Sequence, residues 1–243
     1  MMENARKQVF HVVMLLTLTV VCASTLLSVF TLGVQVKILK DLCMTSILFC
    51  GGILAIALAS AALPAELESK TCYPILARSL RRSEFVLGKY LGTVATIFLG
   101  LALIGIAFGV LLLSRQAFDV AMFMAMVYAL LEVAVVAAIA MALSTCTTPA
   151  VAAMVSFMLY IAGTVKMGYF RGLIDGVGND AVRSFVLGFY HLLPNLESFN
   201  FKDALVHNIQ VPNAYLAQVA IYGFCYAALV VTLATCIFSR REL

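Results

Sequence analysis

The chain has 243 residues, of which 63% are hydrophobic and 12% are charged, and its mean hydropathy is +1.05. A soluble domain has about 25% charged residues, so this composition excludes a water-soluble globule. The net charge of +4 is scattered along the chain, which excludes nucleic-acid binding through a clustered basic face.

Apolar runs of about 20 residues, the length at which a helix crosses a bilayer, recur along the sequence. They lack the two-residue alternation of barrel strands, so the predicted fold class is all-α. The first run follows Arg6 and Lys7 and exceeds the apolar region of a signal peptide, about 7–15 residues, which predicts an uncleaved span. We predict a polytopic membrane protein with a single transmembrane domain over 1–243 and six transmembrane helices, at approximately 9–36, 43–64, 89–113, 119–143, 149–169 and 216–238.

The distribution of Lys and Arg predicts that both termini are cytoplasmic. In this orientation nine of the 16 Lys and Arg residues lie on the cytoplasmic side. Five of these nine lie in one short loop between the second and third spans, next to span ends, where the positive-inside rule has most force.

Two segments between spans are long enough to form helices. In the cytoplasmic segment 65–88, apolar residues between Tyr73 and Leu80 recur at helical spacing, which is also typical of a plain interfacial helix. The outer segment 167–215 is predicted to be partly helical, with a helix that begins at Asn200 and has Asp203 in its first turn.

The sequence carries no enzyme signature. The stretch from Ser83 to Tyr90 lacks the first glycine and the Ser/Thr of the phosphate-binding loop G-x-x-x-x-G-K-[ST], so we predict that the chain itself does not hydrolyse ATP. The motifs of metal hydrolases, serine hydrolases and di-metal bundles are also missing. Seven cysteines contain no C-x-x-C pair and predict no disulfide framework.

Two groups of side chains are weak candidates for metal binding. They are Met122, Met124 and Met126 in the fourth span, and His191, Glu197, Asp203 and His207 in the outer segment. Thioethers suit copper(I), but methionines in an apolar span are more often lipid-facing, and caps or surface positions explain the second group. We therefore predict no resident metal or cofactor.

Glu132 is the one carboxylate well inside a predicted span, where a charge is costly and marks a functional candidate. Two interpretations stay open. Glu132 is either a proton or ion site, as in a secondary transporter or channel, or a protonated or hydrogen-bonded group that holds the bundle together. A secondary transporter would also predict inverted repeats or broken helices, which the sequence does not show.

A series of motifs runs from Lys40 to the end of the chain. The loop after the second span contains Glu66, Glu68, Thr71, Arg82, Phe85, Gly88, Lys89 and Gly92 in the order E-x-E-x-x-T, R-x-x-F and G-K-x-x-G. Further motifs lie at 40–42, 144–149 and 192–196 and in the terminal F-S-R-R-E-L. Together they resemble the integral-membrane permease of an ABC transporter of the ABC-2 type. Within it, the chain most resembles the subgroup of permeases for multi-copper enzyme maturation.

The resemblance implies that residues 65–88 form a coupling helix that docks on a separate ATPase, with a minor contact at 144–149. It assigns this coupling to Glu66, Glu68, Lys70, Thr71, Arg78, Arg81, Arg82, Phe85 and Lys89. Charged residues at such a contact fix orientation more than they add affinity.

The resemblance also implies partners and a location. Two copies of the chain, a homodimer in the bacterial inner membrane, would work with a pair of ATPase subunits that bind ATP-Mg, and would export an unidentified substrate. A third functional class stays open beside the permease and the secondary transporter. It is a membrane scaffold that binds a periplasmic protein through residues 167–215.

Overall fold

The computed structural model describes residues 11–15, 18–19, 23, 35–68, 82–114, 120–164, 194–202, 204 and 211–239. The described part of the chain contains helices and no strand, which confirms the all-α prediction. The elements are α1 (Gln35–Ala62), α2 (Pro64–Glu68), α3 (Arg82–Ser114), α4 (Val120–Cys146), α5 (Pro149–Thr164), a 3-10 helix (Leu196–Phe199) and α6 (Asn213–Ser239).

In the described part of the chain, four helices are long and apolar enough to cross a membrane. They include residues Lys37–Glu66, Ser83–Leu113, Ala121–Cys146 and Asn213–Ser239, and they correspond to the second, third, fourth and sixth predicted spans. The helix α5 is shorter, about 24 Å at 1.5 Å per residue, and corresponds to the span predicted at 149–169. Most of the first predicted span, 9–36, lies outside the described residues, so the count of six stays a prediction.

The helix α3 begins earlier than the sequence predicted. Its first residue is Arg82, whereas the third span was placed at 89–113, so the end of the predicted coupling segment is the first two turns of α3. Phe85 and Val86 are buried and continue the packed face of the helix, while Ser83 and Glu84 are exposed. Apolar packing therefore extends α3 past the limit that charge alone suggested.

The helix α4 lies at the centre of the described bundle, where it packs against α1, α3, α5 and α6. The side chains of Val135, Val136, Ala137 and Ala138 are at most 2% exposed. A helix that is apolar on all sides is a buried helix, and small side chains allow its neighbours to approach closely.

Successive long helices alternate in direction, so each end of the bundle has its own set of connecting segments. At one end, which we call the Glu66 end, the rings of Phe85 and Phe238 stack with centroids 6.1 Å apart. At the other, which we call the cap end, the hydroxyl of Tyr128 donates to the carbonyl of Leu216 over 2.9 Å. The described parts of the two loops predicted to be cytoplasmic, 65–68 and 82–88 of the first and 144–149 of the second, belong to the Glu66 end.

The methionines of α4 divide into two kinds. Met122 is 5% exposed and lies beside Gly109 of α3, and Met126 occupies the space that a Cβ atom of Gly105 would fill. Met124 is 47% exposed. The expectation of lipid-facing methionines fits Met124 and is wrong for Met122, because glycines of α3 leave room for long side chains between the helices.

The close contact at Gly163 gives a test of the fold. A Cβ atom at this position would lie 2.8 Å from the backbone carbonyl oxygen of Pro194, which cannot rotate away. We expect Gly163→Ala to destabilise the chain by about 1–3 kcal/mol, the usual cost of overpacking, measured by thermal unfolding in detergent micelles. The control is Gly92→Ala, where no atom lies within 4 Å. Equal unfolding temperatures for the two variants would contradict this packing.

Candidate functional site

Residues 194–202, which we call the cap, lie across one end of the bundle. The backbone N–H of Asn195 donates to the hydroxyl of Tyr222 over 3.0 Å. The rings of Phe199 and Tyr222 stack with centroids 5.9 Å apart, and Phe199 is fully buried. Gly163 and Gly223 lack the Cβ atoms that would strike the cap, so α5 and α6 both support it closely.

The cap also contacts the first long helix. The Lys202 ammonium lies 3.3 Å from Thr45 Oγ1 and 3.5 Å from Asp41 Oδ1 of α1. The side chain of Asn200 accepts a hydrogen bond from the backbone N–H of Lys202 over 3.2 Å, as expected where a helix starts. Residues 202 and 204 are helical, which agrees with the predicted start at Asn200, while Asp203 lies outside the described residues.

A cavity of about 190 Å³ lies beneath the cap. Its lining comes from α1, α4, α5 and the cap: Thr45, Leu48, Phe49, Glu132, Tyr160, Ile161, Thr164, Leu196, Glu197, Asn200 and Lys202. Glu132 is 2% exposed, and its Oε2 atom has no hydrogen-bond partner among the described residues. The structure therefore places the predicted intramembrane candidate in the wall of a cavity.

Tyr160 is fixed in this cavity by a glycine of α1. Its hydroxyl donates to the backbone carbonyl of Leu48 over 3.0 Å. A Cβ atom on Gly52 would lie 2.6 Å from the Cζ atom of the Tyr160 ring, so only glycine lets the ring reach this position. The tyrosine is 5% exposed and joins α5 to α1 at the level of the cavity.

The cavity can hold a proton, a water molecule or a small cation beside Glu132, because hydroxyl and amide groups share its wall with apolar side chains. The described part of the chain contains no group of three or more His, Cys, Asp or Glu residues that could hold a metal ion. Glu197 lines the cavity, whereas His191, Asp203 and His207 lie outside the described residues.

The described residues among those assigned to coupling lie at the opposite end of the bundle. Glu66 of α2 and Lys89 of α3 form an ion pair with side chains that are 23% and 29% exposed. Phe85 is 9% exposed and stacks on Phe238, so in this chain it packs α3 against α6. Glu68 is the last residue of α2 and Arg82 the first of α3. The remaining residues of that set lie outside the described ranges: Lys70, Thr71, Arg78 and Arg81.

The sequence did not single out the hydroxyl side chains that line the cavity with Glu132. Thr45 comes from α1, Tyr160 and Thr164 come from α5, and only the folded chain brings them to Glu132 of α4. One signal was present, because the adjacent Gly51 and Gly52 interrupt an apolar run and indicate a close approach of another helix.

The family model described as ABC-2 family transporter protein matches residues 2–243. The chain belongs to this family. No curated protein gives a significant match to its sequence. ABC-2 permeases are generally non-catalytic membrane components that work with ATPase partners, and the four long apolar helices agree with a membrane protein. The finer resemblance to multi-copper enzyme maturation permeases stays a prediction.

The hydrogen bond of Tyr160 gives a test of the cavity in this ABC-2 protein. We expect Tyr160→Phe to lower the free energy of unfolding by about 1 kcal/mol, because one interhelical hydrogen bond is lost and the ring stays in place. The measurement is unfolding of the purified chain in micelles. Tyr215→Phe, at a tyrosine that is 43% exposed, is the control. A Tyr160→Phe chain as stable as the control would contradict the assigned bond.

Proposed function

We propose that the chain is the membrane-spanning permease subunit of an ATP-driven ABC transporter, in which a separate subunit hydrolyses ATP. The observation that carries the proposal is the family match over residues 2–243. The missing phosphate-binding loop supports it, because ATP-Mg must then bind to another subunit. Export of the substrate is part of the proposal and rests on the family resemblance alone.

The packing at the Glu66 end supports a mechanical role for this end. Only Leu63 separates α1 from α2, and its carbonyl accepts a hydrogen bond from the N–H of Glu66 over 3.2 Å. The ion pair of Glu66 with Lys89 then joins α2 to α3, and Phe85 joins α3 to α6. A soluble partner that pushes on this end would therefore move three membrane helices.

The proposed arrangement has two copies of the chain and two ATPase subunits in the bacterial inner membrane. Broad apolar faces of α3 and α6 are exposed, for example Leu99, Leu103 and Phe224. They provide surface for lipid and for the second copy. Closure of the ATPase pair on ATP would shift the permease between states only through a difference in affinity for them.

The proposed orientation places the Glu66 end in the cytoplasm. Ser239 ends α6 at this end, and Arg240 and Arg241 follow it in the sequence. The turn from Cys146 to Pro149 lies here as well and would make the minor contact with the ATPase. The scaffold alternative gains no support from residues 194–202, because they pack onto the bundle and do not form a free arm.

Charge reversal on the predicted cytoplasmic face tests the permease proposal. We expect the double substitution Arg81→Glu and Arg82→Glu to abolish capture of an ATPase by the tagged chain from native membranes, because the docking surface changes sign. The ATPase is recognised by mass spectrometry through its G-x-x-x-x-G-K-[ST] loop. The matched control is Arg171→Glu with Arg183→Glu, the same charge change on the predicted outer face.

Two results of this capture experiment would overturn the proposal. One is an unchanged ATPase yield with the Arg81 and Arg82 variant. The other is a wild-type chain that captures no ATPase at all, while the chain itself is recovered intact.

A charge swap tests the role of the ion pair. Lys89→Glu places two carboxylates beside each other, and we expect it to lower the ATPase retained per chain by up to about fivefold, since a partly exposed pair contributes about 0.2–1 kcal/mol. The double variant Glu66→Lys with Lys89→Glu restores the pair and should restore retention. Equal losses in the single and double variants would show that each charge acts separately.

A further inference from the structure

We propose that the cavity beneath the cap binds a small organic cation, an alkylammonium ion, with its nitrogen directed at Glu132. The geometry of the cavity by itself supports its role as a binding site. As the site of the transported substrate it rests on the proposed permease function.

The first argument is charge. The carboxyl group of Glu132 is buried in the cavity wall, and its Oε2 atom has no hydrogen-bond partner among the described residues. An unpaired ionised carboxylate in apolar surroundings is costly. A cation in the cavity would supply the missing partner. The lining residue that carries positive charge is Lys202, and its ammonium already lies beside Asp41 and Thr45 of α1.

The second argument is the composition of the wall, which favours an organic cation over a metal ion. Leu48, Phe49, Ile161 and Leu196 give the cavity an apolar side. Hard metal ions take shells of about six to eight oxygen atoms, which apolar side chains cannot provide. An alkylammonium ion fits both sides, since its carbon atoms contact the apolar wall and its nitrogen is attracted by the carboxylate and by aromatic faces.

The third argument is size. The cavity of about 190 Å³ is slightly larger than an engineered cavity of about 150 Å³ that accepts benzene. Pockets for drug-sized ligands begin at about 300 Å³. The site therefore fits a cation with a short carbon chain, and a bulky lipid-linked or peptide substrate is too large for it.

The absence of tryptophan from the chain makes binding directly measurable. Phe49→Trp places a single indole fluorophore in the cavity wall of the full chain in lipid nanodiscs, without any ATPase. We expect n-propylammonium chloride to change its emission in a saturable way. Equal concentrations of n-propanol, which has the same number of heavy atoms and no charge, and of sodium chloride should give no saturable change.

The role of Glu132 is tested in the same background. Glu132→Gln keeps the size of the side chain and removes the charge, so we expect the affinity for propylammonium to fall at least tenfold, about 1.4 kcal/mol. The control for amine that dissolves in the lipid is Phe224→Trp on α6, where the native side chain is 68% exposed and does not line the cavity. This variant should show no saturable response.

Any of three results would overturn the proposal: no saturable response to propylammonium, a saturable response to propanol or sodium of the same size, or unchanged affinity in Glu132→Gln. If a tryptophan variant fails to fold, the unfolding temperature of the unmodified chain with propylammonium and with propanol gives the same decision, and only the amine should raise it. A failure here leaves the ATPase capture experiment unaffected, so the two proposals fail separately.

Discussion

The close packing of α4 against its neighbours determines where every other feature of this protein lies. Small side chains such as Ala137 and Ala138 let four helices approach one helix. The same helix carries Glu132, so the packing that stabilises the bundle also holds one carboxylate away from lipid. The side chain of Glu132 is 2% exposed, and it lines the cavity that lies beneath the cap.

The two acidic positions of interest differ in how their charge is compensated. Glu66 is paired with Lys89 and partly exposed, so both water and the lysine compensate its charge, and the pair adds little stability. Glu132 is almost fully buried, and the hydroxyl and amide groups around its cavity come from α1, α5 and the cap. The first arrangement is typical of a surface that meets another protein. The second is typical of a site that binds a ligand or a proton, because a buried carboxylate with a purely structural role normally has hydrogen-bond partners among its neighbours.

Long apolar runs made the helical fold predictable, since hydrocarbon admits only helices and closed barrels and the runs lack the two-residue alternation of barrel strands. Glu132 was predictable for a related reason, as a charge in an apolar span is rare. The start of α3 at Arg82 was not predictable from charge, because Phe85 is held by Phe238, which lies far away in the sequence. The cavity was also beyond prediction. Its polar groups lie in segments that become neighbours only through the tertiary fold, and single polar residues such as Thr45 leave no periodic signal.

The helix α1 connects the two ends of the protein. It carries Thr45 and Leu48 at the cavity, and it continues through Leu63 into α2 at the Glu66 end, about 27 Å away at 1.5 Å per residue. At the cavity it contacts α5 through the hydrogen bond from Tyr160 to Leu48 and through the close approach at Gly52. A push on α2 that moved α1 would therefore also act on the contact between α1 and α5, which holds Tyr160 at the cavity. By reciprocity, a ligand in the cavity would alter the affinity of the Glu66 end for its partner by the same factor. The helix α1 is thus a continuous connection through which the two ends can communicate.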